Sequence, residues 1–236
     1  LTGEIRIPVS ALEPLPLDAA KVISRRAAQE ITKQSAVVNL GVGIPINIPM
    51  IQVEENSDKD TIFFPEHGAI GGVPAERAIF GTNVNPEAII DSTDVFRYYR
   101  GGGLTQTFLG FGEFDQYGNV NVSKFNGIIP GCGGFIDTAG GAKIEIGGGR
   151  LKIIQEGKYH KLMEKVEQIT LNGQEALKKG QDVTYVTERA VFHLTPKGIE
   201  LLEYAPGIDI QKDILDLIPF PVLVSNPKEM DAALFT

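Results

Sequence analysis

The chain has a single cysteine, Cys132, and only three histidines. One thiol cannot build an internal disulfide framework, and so few imidazoles show no metal-ligand spacing, so no metal is expected and a reducing, cytoplasmic setting fits. Basic residues are also in the minority. Against 30 Asp and Glu stand 22 Lys and Arg, a net charge of −8, which argues against nucleic acid as a partner and leaves any anionic ligand to local amides and a few lysines. No long apolar run is present either. The longest charge-free stretch, Gln34 to Val53, is broken by Gly41, Gly43, Pro45, Pro49, Asn39, Asn47 and Gln52, so it reads as a strand and loops, with no membrane association. Internal repeats, low-complexity tracts and a signal peptide are likewise not seen.

What is there suits a folded enzyme-sized domain. With 42% hydrophobic residues over 236 positions, the chain can bury one sizeable core. Residues 1–17, with Pro8, Pro14 and Pro16, read as an extended linker. They begin at Leu1 without methionine, as in a piece of something longer, and residues 18–236 read as the domain. Asp18 can N-cap a helix with Ala20, Ile23, Ala27 and Ile31 on one face. The run Ala36 to Leu40 reads as a buried strand that opens into Gly41-Val42-Gly43-Ile44-Pro45, a strand and glycine turn as in phosphate-binding folds, though without dinucleotide-fingerprint spacing. A helix is expected to begin near Ile46, after Pro45. Apolar segments at Ala88 to Asp91 and Leu104 to Gly110 alternate with turn clusters. Hairpins are expected at Ala142 to Ile146 with Leu151 to Gln155, and at Val191 to Leu194 with Ile199 to Glu203. A last short helix should start near Asp209. The pattern is α/β with some antiparallel content.

The segment richest in chemistry is Pro65-Glu66-His67-Gly68-Ala69-Ile70-Gly71-Gly72, directly after the apolar run Thr61 to Phe64. A buried strand there would place Glu66 at its carboxyl end, where open α/β sheets hold ligands. Glu66 can act as base, metal ligand or nucleophile; alternatively it merely caps a following helix. Asn39 has an equally ordinary alternative as a strand-end residue bonding its own turn.

Taken together these segments resemble the family I coenzyme A transferases, in particular the carboxyl-terminal half of the single-chain propionate, lactate and acetate CoA-transferases. The matching residues are Asn39 to Pro45, Glu66-His67-Gly68, Ile70 to Pro74 and Gly101-Gly102-Gly103-Leu104. They continue through Gly118 to Val122, Gly131 to Ile136 and Thr187 to Phe192. The resemblance implies a layered α/β fold of the CoA-transferase type, with an open, mostly parallel sheet and added β-hairpins, paired with a similar amino-terminal half. It implies that Glu66 is the nucleophile that carries a glutamyl-CoA thioester in ping-pong exchange between short-chain acids. The Asn39 side-chain amide and the Gly134 backbone would donate to the oxyanion. Coenzyme A, a co-substrate and not a permanently bound cofactor, would lie along Gly41, Gly43, Gly133 and Asn85. Its partners would be acyl-CoA, short-chain carboxylic acids and the amino-terminal half, in a homodimer or homotetramer.

Other residues keep two readings. His67 is a general base or a surface turn residue, and Cys132 a thiol near CoA or a small packed side chain. Lys143, Lys158 and Lys165 neutralise CoA phosphates or are simply solvated. Asn83, like Asn85, is a candidate for the pantetheine channel. The family carries roughly a dozen residues, a strand and its turns, between the loop matching Gly133 to Asp137 and the stretch matching Thr138-Ala139-Gly140. Here Asp137 is followed at once by Thr138, and a chain discontinuity is expected there. Two other functions share these features: a thioester hydrolase of the same ancestry, and a CoA-binding or sugar-phosphate-sensing module without chemistry.

Overall fold

A computed structural model describes residues 5–31, 36–57, 60–75, 81–129, 142–157 and 160–236. Helix α1 (Ala19–Ala28) starts where the sequence places it, with the Asp18 carboxylate accepting from Lys21 N at 2.9 Å. The described contacts fall into two compact units: residues up to Pro16 with Ser24–Gly110, and Leu17–Ile23 with Phe111–Thr236.

The first unit is built on three parallel strands. β1 (Val37–Leu40) lies between β2 (Ile62–Phe63) and a strand at Gln106–Phe108. Successive side chains of a strand point to opposite faces, so Val38 and Leu40 enter a core with Ile31, Ile48, Ile51 and Phe63 while Asn39 faces the other way. Instead of one helix from Ile46, the chain makes a 3₁₀ turn, Ile44–Asn47, and then α2 (Ile48–Glu54). Pro45 and Pro49 each begin one of these pieces, where a missing N–H costs nothing. Two short antiparallel pairs follow: β3 (Ala69–Ile70) with Ala88–Ile89, and β4 (Val73–Pro74) with Asn83–Val84, which are β6 and β5 respectively. Helix α3 (Ser92–Arg100) then leads into β7, the strand Gln106–Phe108.

The second unit is mixed. β8 (Glu113–Asp115) pairs antiparallel with β9 (Val120–Asn121) and parallel with a strand at Leu162–Met163. The first expected hairpin is present as β10 (Lys143–Gly147) and β11 (Arg150–Gln155), followed by β12, the Leu162–Met163 strand, and helix α4 (Gly173–Lys178). The second hairpin, β14 (Ala190–Thr195) with β15 (Gly198–Tyr204), lies between β13 (Thr184–Val186) and β16 (Lys228–Glu229), with α5 (Ile210–Asp213) before β16. Phe114 sits fully buried at the centre of this core, stacked on Tyr185 at 4.3 Å and in contact with the rings of Phe111, Phe192 and Phe220. The fold is α/β, with hairpins added to its parallel strands. No helix among the described residues is long and apolar enough to cross a membrane, and none of their His, Cys, Asp and Glu side chains group as a metal site.

Candidate active site

Glu66 lies three residues beyond β2 on a turn, and its side chain is exposed. No helix follows it. The next element is β3, so the helix-capping alternative has nothing to cap. The turn is held by its own backbone: Gly68 N donates to Pro65 O at 3.1 Å and Gly71 N to Phe63 O at 2.8 Å. Two glycines are required here. Gly68 (φ +90°) and Gly72 (φ +68°) adopt left-handed backbone, and a Cβ on either would overlap a carbonyl oxygen, that of Ile90 or of Val84.

Asn83 holds the same turn from inside. It is fully buried, donates to the Ala69 and Gly71 carbonyl oxygens at 2.9 and 2.6 Å, and lies 3.0 Å from His67 Nε2. Asn83 therefore braces the turn, and His67 is half-buried on that brace.

Asn39 meets Glu66 because β1 is central. Its Nδ2 lies 3.4 Å from Glu66 Oε1 and donates to Thr107 Oγ1 at 3.2 Å, Thr107 being its register partner on β7. The single proton of the Tyr99 hydroxyl, on α3, lies between two acceptors, Asn39 Oδ1 at 3.1 Å and the closer Phe64 carbonyl oxygen. Burial pushes the Tyr99 hydroxyl's ionisation upward, and the negative charge of Glu66 adds to it. Phe64 fixes the ring from below, with Tyr98 stacked on it at 4.7 Å and Tyr99 tilted at 6.0 Å. The arrangement puts an exposed carboxylate beside a buried amide that directs one N–H at it and the other at Thr107.

The remaining expected residues are less closely joined. Gly41 and Gly43 follow β1, Gly41 N donating to Phe108 O at 2.8 Å and Gly43 (φ +100°) opening the 3₁₀ turn. Asn85 spends its amide on the backbone of Ile7, donating to its oxygen at 2.8 Å and accepting from its nitrogen at 2.9 Å. Gly133, Gly134, Cys132, Lys158 and the junction of Asp137 with Thr138 lie outside the described residues. Lys143 is exposed on β10 and Lys165 exposed in a bend. Sequence reasoning passed over Tyr99 and Thr107, since neither stands at a diagnostic spacing and only the strand order brings them to Asn39.

No family model matches the chain. It is 45% identical to the acetate CoA-transferase YdiF of Escherichia coli O157:H7 over 250 aligned positions, covering all of this chain and 47% of the relative. It is 30% identical over 207 positions to the acetate CoA-transferase subunit beta of Haemophilus influenzae, covering 83% of this chain and 87% of that subunit. The chain belongs to the family I coenzyme A transferases. Within the family it resembles the beta-like half: it spans about half the length of YdiF and nearly all of a separate beta subunit. The crystal structure of the YdiF apoenzyme superposes with a TM-score of 0.86 at 43% identity, over 99% of this chain and 46% of that one. A second YdiF crystal structure, a thioester complex with CoA, gives a TM-score of 0.84 at 44% identity over 96% and 46%. The alignment to YdiF is longer than this chain's 236 residues, so that relative carries residues within the matched span that this chain lacks.

Proposed function

We propose that residues 18–236 are the catalytic, carboxyl-terminal half of an acyl-CoA:carboxylate CoA-transferase that exchanges short-chain acids through a glutamyl-CoA thioester on Glu66. The observation that carries this is the pairing of an exposed carboxylate, on a glycine turn at a strand end, with the Asn39 amide at 3.4 Å. The YdiF thioester complex with CoA supports the same chemistry for a relative of this similarity.

The steps balance without ATP. The Glu66 carboxylate attacks the acyl-CoA carbonyl, and the C–S bond breaks to give a mixed anhydride and CoA thiolate. The thiolate attacks the Glu66 carbonyl of the anhydride, releasing the first acid as carboxylate and leaving CoA on Glu66. A second carboxylate attacks that thioester, regenerating thiolate and an anhydride, and the thiolate takes the new acyl group and frees Glu66. Each tetrahedral intermediate places negative charge on an oxygen, and an aligned amide donor there is worth two to three orders of magnitude in rate. Asn39 supplies one donor and the Gly134 backbone the other, while Gly41, Gly43, Gly133 and Asn85 flank the CoA. The partner is an amino-terminal half of the same enzyme, in a cytoplasmic homodimer or homotetramer.

The test is intact mass spectrometry of the full-length enzyme after brief exposure to acetyl-CoA, beside Glu66→Ala. A CoA-sized gain is expected, mapped to Glu66 and lost in the variant. No gain in either protein while CoA still binds reversibly would leave a binding module without chemistry and withdraw the role of Glu66.

A further inference from the structure

We propose that His67 is a positioning residue that steadies the Glu66 turn by donating a hydrogen bond from Nε2 to Asn83, its ring serving as a donor and not as a base. This rests on the reading of Glu66 as nucleophile. The sequence leaves His67 as a general base or a surface turn residue, and its place on the Asn83 brace gives it a third part.

The assignment of the proton starts from Asn83, whose side chain is fully buried. An asparagine amide has nearly the same shape either way round, but its nitrogen carries two hydrogens and its oxygen none. Here Nδ2 lies 2.9 Å from the Ala69 carbonyl oxygen and 2.6 Å from that of Gly71. Backbone carbonyls only accept, so the pair takes both hydrogens, and an amide turned over would set its oxygen against two others. Oδ1 is thereby aimed at His67 Nε2, 3.0 Å away. That oxygen also only accepts, so Nε2 must carry a proton, and in the neutral ring the lone pair falls on Nδ1. An imidazolium has the same Nε2–H, and the contact holds in either form.

The consequence for Glu66 lies in its backbone. Its exposed side chain meets the Asn39 amide at 3.4 Å, a long contact, so the aim of the carboxylate depends on the turn that carries it. Asn83, on β5, ties His67, Ala69 and Gly71, every second residue after Glu66. The tie to His67 is the one next to the nucleophile and the one that runs through a side chain. Removing the Nε2 donor releases that tie and leaves Oδ1 buried without it, while the two carbonyl ties and Glu66 itself are untouched.

The experiment uses the full-length enzyme, acetyl-CoA as probe and rapid-quench mass spectrometry of the Glu66 adduct. His67→Leu, which keeps the bulk and lacks the donor, is expected to slow adduct formation by about 3- to 10-fold, the worth of one neutral hydrogen bond, with KM for acetyl-CoA unchanged. His67→Gln puts an amide N–H near the place of Nε2 and has no basic nitrogen, so it should stay within about twofold of the wild-type rate. The proton itself is read by long-range proton–nitrogen NMR of enzyme labelled in its histidine rings, the His67 signal being the one lost in His67→Gln. A protonated Nε2 beside a bare Nδ1 is expected in the neutral ring. His67→Gln as slow as His67→Leu would make the basic nitrogen the working group and overturn the proposal, as would both variants at the wild-type rate or a neutral ring protonated on Nδ1. No adduct on Glu66 in the wild type would remove the parent reading and the positioning role with it, whereas a normal wild-type adduct confines any failure to His67.

Discussion

Replacing Gly68 by alanine separates two costs that the Glu66 turn combines. Gly68 has φ +90°, and a Cβ there would overlap the Ile90 carbonyl oxygen, part of a backbone locked to the turn because Ile90 N donates to Gly68 O at 3.0 Å. Gly180, in the second unit, has φ +68° and would meet nothing within 4 Å. Both substitutions carry the penalty of left-handed backbone, about 1–2 kcal/mol. Only Gly68→Ala adds the overlap, and relieving it means moving the turn or residue 90, at roughly another 1–3 kcal/mol. Gly180→Ala should therefore lose about 1–2 kcal/mol and form the CoA adduct at the wild-type rate. Gly68→Ala should lose about 2–5 kcal/mol and, because a displacement near 1 Å misaims the proposed nucleophile, slow the adduct by on the order of 100-fold. Urea unfolding and rapid-quench mass spectrometry of the full-length enzyme measure the two quantities. A Gly68→Ala enzyme as stable and as fast as Gly180→Ala would refute the reasoning that the Ile90 contact aims Glu66.

Asn83→Ala removes three contacts from a fully buried position and strands the Ala69 and Gly71 carbonyls; a loss of about 2–4 kcal/mol is expected in urea unfolding, and a value below about 0.5 kcal/mol would show that the turn stands without it. Tyr185, whose hydroxyl donates to Gly118 O at 2.7 Å, has its ionisation pushed up by burial and then by the charge of Asp115. A raised folded value means that its contribution is complete below pH 10 and is lost as pH climbs from there toward that value. Tyr185→Phe should cost about 1 kcal/mol at pH 7 and flatten the decline in stability between pH 10 and 11, and equal slopes for the two proteins would contradict this.

Much of the frame was legible from local pattern. Asp18 announces a helix as its cap and a short helix is expected near Asp209, and the structure has both side chains accepting from the third residue on, Lys21 N and Lys212 N. The runs ending at Leu40 and Phe64 and the two hairpins have clear β-patterning, and each appears within a residue or two of its expected bounds. Helix α3 was not expected: it is nine residues long, and of its apolar and aromatic residues Val95, Phe96, Tyr98 and Tyr99 only Val95 is buried. The junction near Ile46 split because prolines can start a helical turn but not continue one. The site was half-visible. Glu66 stands out through the glycines around it, whereas Asn39 is singled out only by the family resemblance, its local pattern being that of an ordinary strand-end residue until β7 and α3 are laid beside it.

The bonds that define the candidate centre also set when it can exist. Asn39 is separated along the chain from Glu66 by 27 residues, from Tyr99 by 60 and from Thr107 by 68. Contacts of such span form only after the intervening loops have closed. A chain emerging from the ribosome up to about residue 100 already carries its carboxylate but lacks β7. The surroundings of the Asn39–Glu66 pair are therefore complete only when the third parallel strand docks and Thr107 comes beside Asn39. On the proposed role of Glu66, capture of CoA then follows completed folding of the first unit rather than accompanying synthesis.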